Sequence, residues 1–265
     1  MKNRVLKFVL VVIIGYSAFQ IGVPLYQDYL QTKLQEETEN LYDPEITDPD
    51  DDPLSEEERE ALFLEQYLSK FGGLIQVNSD FVGWLNIPET KINFPVVKGT
   101  DNSYYLTHNF EKKRNANGAI FMDYRSEGKG NDLHTVIFGH NRKNGKMFQD
   151  LTLYKNRDYL NRNRYIYLDT YYGKIAYEIF SVYITDTKFY FIRNSFSSNA
   201  HYQMFLDQIT QKSMFDLGIR VTEEDRILTL STCTYEFKDA RFVIHARRIA
   251  EPSSISPNST SYPMI

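Results

Sequence analysis

The sequence predicts a mainly β domain, a sandwich or barrel with N-terminal and inserted helices, behind a membrane anchor and an acidic spacer. Three observations predict it. Seven short runs rich in β-branched and aromatic residues, at 91–98, 119–124, 134–138, 165–168, 174–184, 227–233 and 242–249, follow one another with intervening turns. Only two helical patches interrupt them, 146–154 and 199–215, which is too few for the strand–helix alternation of a parallel α/β sheet. The stretch is also long enough to enclose one full core.

Taken in order, Lys2, Arg4 and Lys7 precede residues 8–26, a run without charge in which only Ser17 and Gln20 are clearly polar. A helix needs about 20 apolar residues to cross a bilayer. The basic flank stays cytoplasmic, so the rest of the chain is expected outside the cell, anchored by residues 1–26. A cleaved signal peptide is the competing reading, but its apolar core would be shorter and no A-x-A-like site follows Ile14.

Residues 36–60 hold 13 acidic side chains against one basic, Arg59, together with Pro44, Pro49 and Pro53. Such a stretch repels itself and buries nothing, so 27–54 reads as an extended extracellular linker. Its functional alternative is a lid over the active site with Asp43-Pro44 or Asp52-Pro53 at the tip. With +3 in residues 1–35 and −12 in residues 36–60, the net charge of −5 leaves +4 for residues 61–265. That excess is small and dispersed along the sequence, which excludes a nucleic-acid footprint.

The domain at 55–250 opens with S-E-E-E at 55–58, a capping box ahead of apolar Leu62, Leu64, Tyr67, Leu68 and Phe71. Gly72-Gly73 is read as the end of this helix, and Asn78-Ser79-Asp80 as the cap of a short second one before Trp84. Residues 251–265, rich in Ser and Pro, read as a disordered tail, in which Asn258-Ser259-Thr260 is an incidental glycosylation match.

The chemistry gathers at 227–249, which contains the only cysteine of the chain. If its two β-rich runs pair antiparallel across seven loop residues, Cys233 and Arg241 face each other at one end of the sheet. A nearby cation favours thiolate over thiol, and a fixed guanidinium can hold a developing oxyanion. The plain alternative is a buried cysteine acting as a small hydrophobe. An unpaired cysteine on an exported chain forms no internal disulfide and is exposed to oxidation, which favours the reactive reading. Of five histidines, His140 in F-G-H-N emerges at the end of the run 134–138, where Gly139 permits a sharp turn. His134 begins that run and so lies at its opposite end. His245 shares the parity of Arg241 but lies four residues away, or roughly 13 Å along a strand. His108 and His201 lie in polar surroundings. No cluster has metal-ligand spacing.

T-L-S-T-C at 229–233, an Arg eight residues on, and I-F-G-H-N with the following K-N-G-K-M-F resemble the class B sortases, membrane-anchored cysteine transpeptidases of Gram-positive bacteria. The likeness extends through N-S-D-F-V-G-W-L-N-I-P at 78–88, F-P-V-V-K-G-T-D-N-S-Y-Y-L at 94–106 and A-I-F-M-D-Y-R at 119–125. The resemblance implies an eight-stranded β-barrel with added helices. It implies Cys233, His140 and Arg241 as catalytic residues, and Asn102, Leu106 and Ser231 as substrate contacts, with no cofactor or metal. A papain-like protease is disfavoured, because its cysteine starts a helix and this one ends a strand.

The implied reaction is acyl transfer: Cys233 attacks a backbone carbonyl in the sorting motif of an exported protein, and an amine of a pilin lysine or of peptidoglycan resolves the thioester. Thr234 stands where many class B members have Asp, and the loop to Arg241 is shorter, which looks more like the pilin-polymerising enzymes than those that anchor haem-uptake proteins. The aromatic Asp-Pro lid of class C enzymes is missing, since Pro44, Pro49 and Pro53 are followed by Glu45, Asp50 and Leu54. The rival class of function is a membrane-anchored binding or adhesion module with an inert thiol.

Overall fold

The computed structural model describes residues 2–42, 56–128, 132–142, 146–171, 173–234 and 236–249. The β-branched and aromatic runs form β1 (Phe81–Asn86), β2 (Asn93–Val97), β3 (Ile120–Met122), β4 (His134–Phe138), β7 (Tyr165–Thr170), β8 (Gly173–Thr185), β9 (Ile227–Cys233) and β10 (Arg241–Arg248), with a two-strand hairpin, β5 (Asn141–Arg142) and β6 (Lys146–Met147), beside them. The eight longer strands close into a barrel in the order β1-β2-β3-β4-β9-β10-β8-β7. Pairing is antiparallel except between β2 and β3 and between β4 and β9.

Strand alternation sorts the residues. Leu228 and Leu230 of β9 and Phe242, Ile244 and Ala246 of β10 join the core that fills the barrel. The opposite parity, Ile227 and Val243 among them, lies under Phe205, Leu206 and Ile209 of helix α4 (Asn199–Gln211). This helix starts at Ser198, whose side chain caps His201 N. Cys233, Ser231 and Arg241 share that outer parity, and they mark the end of the face that α4 does not reach.

The N-terminal elements depart from the sequence reading. Helix α1 runs unbroken from Lys2 to Asn40, so the linker expected from residue 27 does not begin there. The reason is a second amphipathic pattern: Gln31, Leu34 and Thr38, one helical face, are buried against the barrel. Glu39 accepts from Asn93 Nδ2 at 3.1 Å. Beyond the helix, Tyr42 stacks on Trp84 with ring centroids 4.5 Å apart and donates to Asp169 Oδ2 at 2.8 Å. Residues 43–55, with both proposed lid tips and Ser55 of the capping box, lie outside the described residues, as does the tail.

Helix α2 spans Glu56–Val77 and passes through Gly72-Gly73. Packing of Phe71 and Leu74 against Phe81 and Trp84 outweighs the cost of two helical glycines, about 1 kcal/mol each. No short second helix follows. Asn78 Oδ1 accepts from Asp80 N and its Nδ2 donates to Phe110 O, making a turn that feeds directly into β1. The helical patch read at 146–154 is instead β6 followed by a 3-10 helix at Gln149–Lys155, and helix α3 (Arg157–Arg162) comes after it.

Candidate active site

The register brings Cys233 opposite Arg241, as the hairpin reading requires. On the other flank of β9, Phe138 pairs with Ser231 in the parallel contact with β4, and Gly139 N donates to Ser231 O at 3.3 Å. His140 therefore leaves the barrel beside the cysteine end of β9. A cavity of about 180 Å³ opens there, lined by Asn102, Leu106, Phe121, Phe138, Gly139, His140, Ser231, Thr232, Cys233 and Arg241. All six residues expected to act in catalysis or substrate contact meet in this one cavity.

Gly139 acts differently from the sequence reading. It needs no left-handed backbone; a Cβ there would stand 2.5 Å from Ile120 Cδ1 and 2.8 Å from the Phe148 ring. Glycine lets the chain press onto the core before His140 emerges. Thr232 Oγ1 donates to Gly139 O at 2.7 Å and Asn141 Nδ2 donates to Cys233 O at 2.9 Å. These two bonds stitch the histidine turn to the cysteine strand end from both sides.

The His140 ring is half-buried, and its Nε2 lies 2.8 Å from Leu106 O. A carbonyl only accepts, so Nε2 carries a proton in this arrangement. Leu106 is thereby fixed at the mouth by its backbone while its side chain remains exposed. Asn102 is set from behind: its Oδ1 accepts from Tyr124 N, and its Nδ2 donates to Asp123 Oδ2. Burial opposes ionisation of Asp123, but hydrogen bonds from Arg125 and Asn102 outweigh it and hold the carboxyl below its ordinary range. Asn102 thus rests on a fixed charge. Arg241 is half-buried, tethered through Nη1 to Ala240 O at 3.1 Å. The loop between Cys233 and Arg241 is drawn in by Thr234 N donating to Ala240 O and by Lys155, which reaches Glu236 and Thr234.

The other histidines stand apart from this cavity. His134 and His245 are fully buried beneath α4. His108 stacks on Tyr104 with centroids 4.1 Å apart, and His201 packs against Arg193 and Ser197 at the start of α4. Sequence reasoning missed Thr232, Asn141, Phe121 and Phe138. Asn141 directly follows the histidine in G-H-N, so a signal for it was present. Among the described residues no group of three or more His, Cys, Asp or Glu gathers as metal ligands.

Comparison with known proteins agrees with this geometry. A family model described as Sortase domain matches residues 85–249. Sortase B of Listeria monocytogenes serovar 1/2a (strain ATCC BAA-679 / EGD-e) is 32% identical over 238 residues, covering 89% of this chain and 92% of that protein. Sortase B of Staphylococcus aureus (strain NCTC 8325 / PS 47) is 32% identical over 249 residues, covering 93% and 95%. A solved Staphylococcus aureus sortase B–substrate complex superposes with a TM-score of 0.71 at 30% identity, covering 84% of this chain and 98% of that one.

Proposed function

The chain belongs to the sortase family, class B, and is a cysteine transpeptidase that cleaves sorting signals; from that premise we propose that Cys233, His140 and Arg241 carry the reaction. The observation that supports it is the pairing of Cys233 with Arg241 across one register step, with His140 lining the same cavity. Cys233 Sγ attacks the carbonyl carbon of the sorting motif, and Arg241 holds the oxyanion. As the tetrahedral intermediate collapses, the scissile C–N bond breaks and His140 delivers a proton to the leaving amine. The incoming amine then adds to the thioester, giving up its proton to His140, and the thiolate departs. Asn102, Leu106 and Ser231 contact the motif along the cavity wall.

The exposed apolar stretch of α1 is long enough to cross a membrane. We read it as the anchor, with the N-terminus cytoplasmic and the barrel outside. The acceptor amine belongs to a pilin lysine or to peptidoglycan. The seven-residue loop between Cys233 and Arg241 favours the pilin, because a shorter loop takes up less of the rim where the incoming amine approaches. Family membership speaks against the adhesion module with an inert thiol.

One experiment tests the reading. Full-length chain in detergent, mixed with a sorting-motif peptide, should gain the acyl mass on Cys233, and Cys233→Ala should gain none. Adding a lysine-bearing pilin domain or a peptidoglycan stem peptide to the adduct then shows which amine discharges it. An adduct elsewhere, or none with the wild type, overturns the assignment.

A further inference from the structure

The sequence D-Y-R at 123–125 takes no part in the proposed reaction, yet it backs one wall of the cavity. Asp123 follows the end of β3, where its N–H still donates to Val136 O at 2.9 Å, and its side chain is buried. A buried carboxylate is tolerated only when donors meet its oxygens. Arg125 meets both: the chain turns so that Ser126 N donates to Asp123 O at 3.0 Å, and the guanidinium folds back with Nε 2.8 Å from Oδ1 and Nη2 2.7 Å from Oδ2. This fork fixes the plane of the carboxylate. The guanidinium is held in turn by the segment after β8, donating to Tyr190 OH and to Ile192 O.

One further side-chain donor reaches this carboxylate, Asn102 Nδ2 at 3.1 Å from Oδ2, and Asn102 lines the cavity. The two ends of an asparagine amide have nearly the same shape, so its partners decide which way round it sits. Here the partners agree. An ionised carboxylate only accepts, so the NH2 end faces Asp123; a backbone N–H only donates, so Oδ1 faces Tyr124 N, at 3.1 Å. Asp123 takes one of the two Nδ2 hydrogens, and the other meets no acceptor among the described residues. The cavity wall therefore holds a donor of fixed orientation.

We propose that Asp123, clamped by Arg125, is a positioning residue that orients Asn102 to offer one N–H to a carbonyl oxygen of the bound sorting motif. This inference rests on reading Asn102 as a motif contact. An unsupported asparagine turns freely and must be ordered when the peptide arrives, whereas one locked at both ends of its amide is ordered beforehand. Asp123 touches no reacting atom. Its contribution lies in binding the motif, so its loss raises the peptide concentration needed and leaves the chemical step alone. Asp123→Asn exposes the dependence, because the new amide keeps an oxygen toward Arg125 Nε only by turning its NH2 on Asn102 Nδ2, donor against donor.

The test is single-turnover acylation of Cys233 by a sorting-motif peptide, using the full chain in detergent as wild type, Asn102→Ala, Asp123→Asn and the double variant. Each single variant should raise the half-saturating peptide concentration about three- to tenfold, the value of one hydrogen bond. The saturated acylation rate should stay within about twofold. The double variant should bind no worse than Asn102→Ala, because Asp123 acts through Asn102. Unchanged half-saturation in Asn102→Ala overturns the motif contact, and this proposal with it. Weakened binding in Asn102→Ala with none in Asp123→Asn overturns the positioning role and leaves the contact standing. An Asp123→Asn effect that persists in the Asn102→Ala background, or that falls on the saturated rate, overturns it too. A second measurement leaves the buried carboxylate intact: in Cys233→Ala labelled with 15N-asparagine, the peptide should shift one Asn102 Nδ2 proton and leave the Asp123-bound one in place. Equal shifts of both, or of neither, overturn the proposal even if Asp123→Asn does not fold.

Discussion

Among the described residues the His140 ring hydrogen-bonds Leu106 O alone, and its neighbours Gly139 and Asn141 are the ones tied to the cysteine strand. The histidine is thus positioned by its backbone, and removing its ring takes away a proton carrier without opening the core. His140→Ala should keep the melting temperature within a few degrees and lower turnover by roughly two to four orders of magnitude, checked by initial rates and calorimetry on the same preparation. A comparable loss in His134→Ala with none in His140→Ala would put the chemistry at the wrong imidazole. At this scale the sequence was legible because function sits at strand ends: the facing of Cys233 and Arg241 and the turn after β4 follow from local pattern, whereas Ser231, Asn102 and Leu106 came through the family resemblance. The supporting bonds of Thr232 and Asn141 were not, because each joins residues more than 90 positions apart.

Among elements, α1 shows how composition misleads when one helix serves two solvents. Its first part is apolar all round and exposed, while residues 27–40 are acidic enough to resemble a spacer yet bury Gln31, Leu34 and Thr38 on the barrel. The clue was the spacing of those positions, outvoted by the run of Glu36, Glu37 and Glu39. Gly72-Gly73 misled in the opposite way, since a local helix stop was overridden by the packing of Phe71 and Leu74. Leu34→Asp places a charge in the α1–barrel seam, where burying it unpaired costs several kcal/mol. The helix should detach rather than the barrel unfold, because the closed ladder of strands does not depend on α1. Amide exchange should therefore accelerate at 27–42 while the β9 and β10 amides stay protected. Simultaneous loss of protection in both would show that α1 is part of the cooperative unit.

At the scale of the whole molecule, the strand pattern left sandwich and barrel open and closure was legible only through the family resemblance, because the two parallel contacts, β2 with β3 and β4 with β9, join strands by register rather than by hairpin. One consequence of closure is a buried relay that crosses four neighbouring strands, β4, β9, β10 and β8. His134 Nδ1 lies 2.6 Å from Arg193 O, His134 Nε2 and His245 Nδ1 each lie 2.6 Å from Thr229 Oγ1, and His245 Nε2 lies 2.7 Å from Tyr183 OH. Its polarity is forced. The Arg193 carbonyl can only accept, so neutral His134 bears its proton on Nδ1, Thr229 donates to Nε2, Thr229 accepts from His245 Nδ1, and Tyr183 donates to His245 Nε2. Every proton in the chain is assigned only while both rings are neutral. A second proton on either ring turns an acceptor into a donor facing a hydroxyl that already donates.

Burial accordingly lowers His134 to about 4, against the pull of Arg193 O and Asp123, and lowers His245 well below its usual value, helped by His134. Both folded-state values lie below the unfolded value of about 6.5, so the unfolded chain binds protons first as pH falls. Stability is therefore full above about pH 6.5 and declines as pH drops from there toward 4, by up to roughly 1.4 kcal/mol per pH unit for each histidine. Urea unfolding of the full chain in detergent should show its midpoint falling steeply across that window. Because His134→Ala or His245→Ala opens a cavity, the informative variant is His245→Gln, whose amide can accept from Tyr183 but cannot titrate. It should start less stable at pH 7 and lose less between pH 6.5 and 4. A slope equal to that of the wild type would mean that other groups, hydrogen-bonded carboxylates such as Asp123 foremost, govern the acid response.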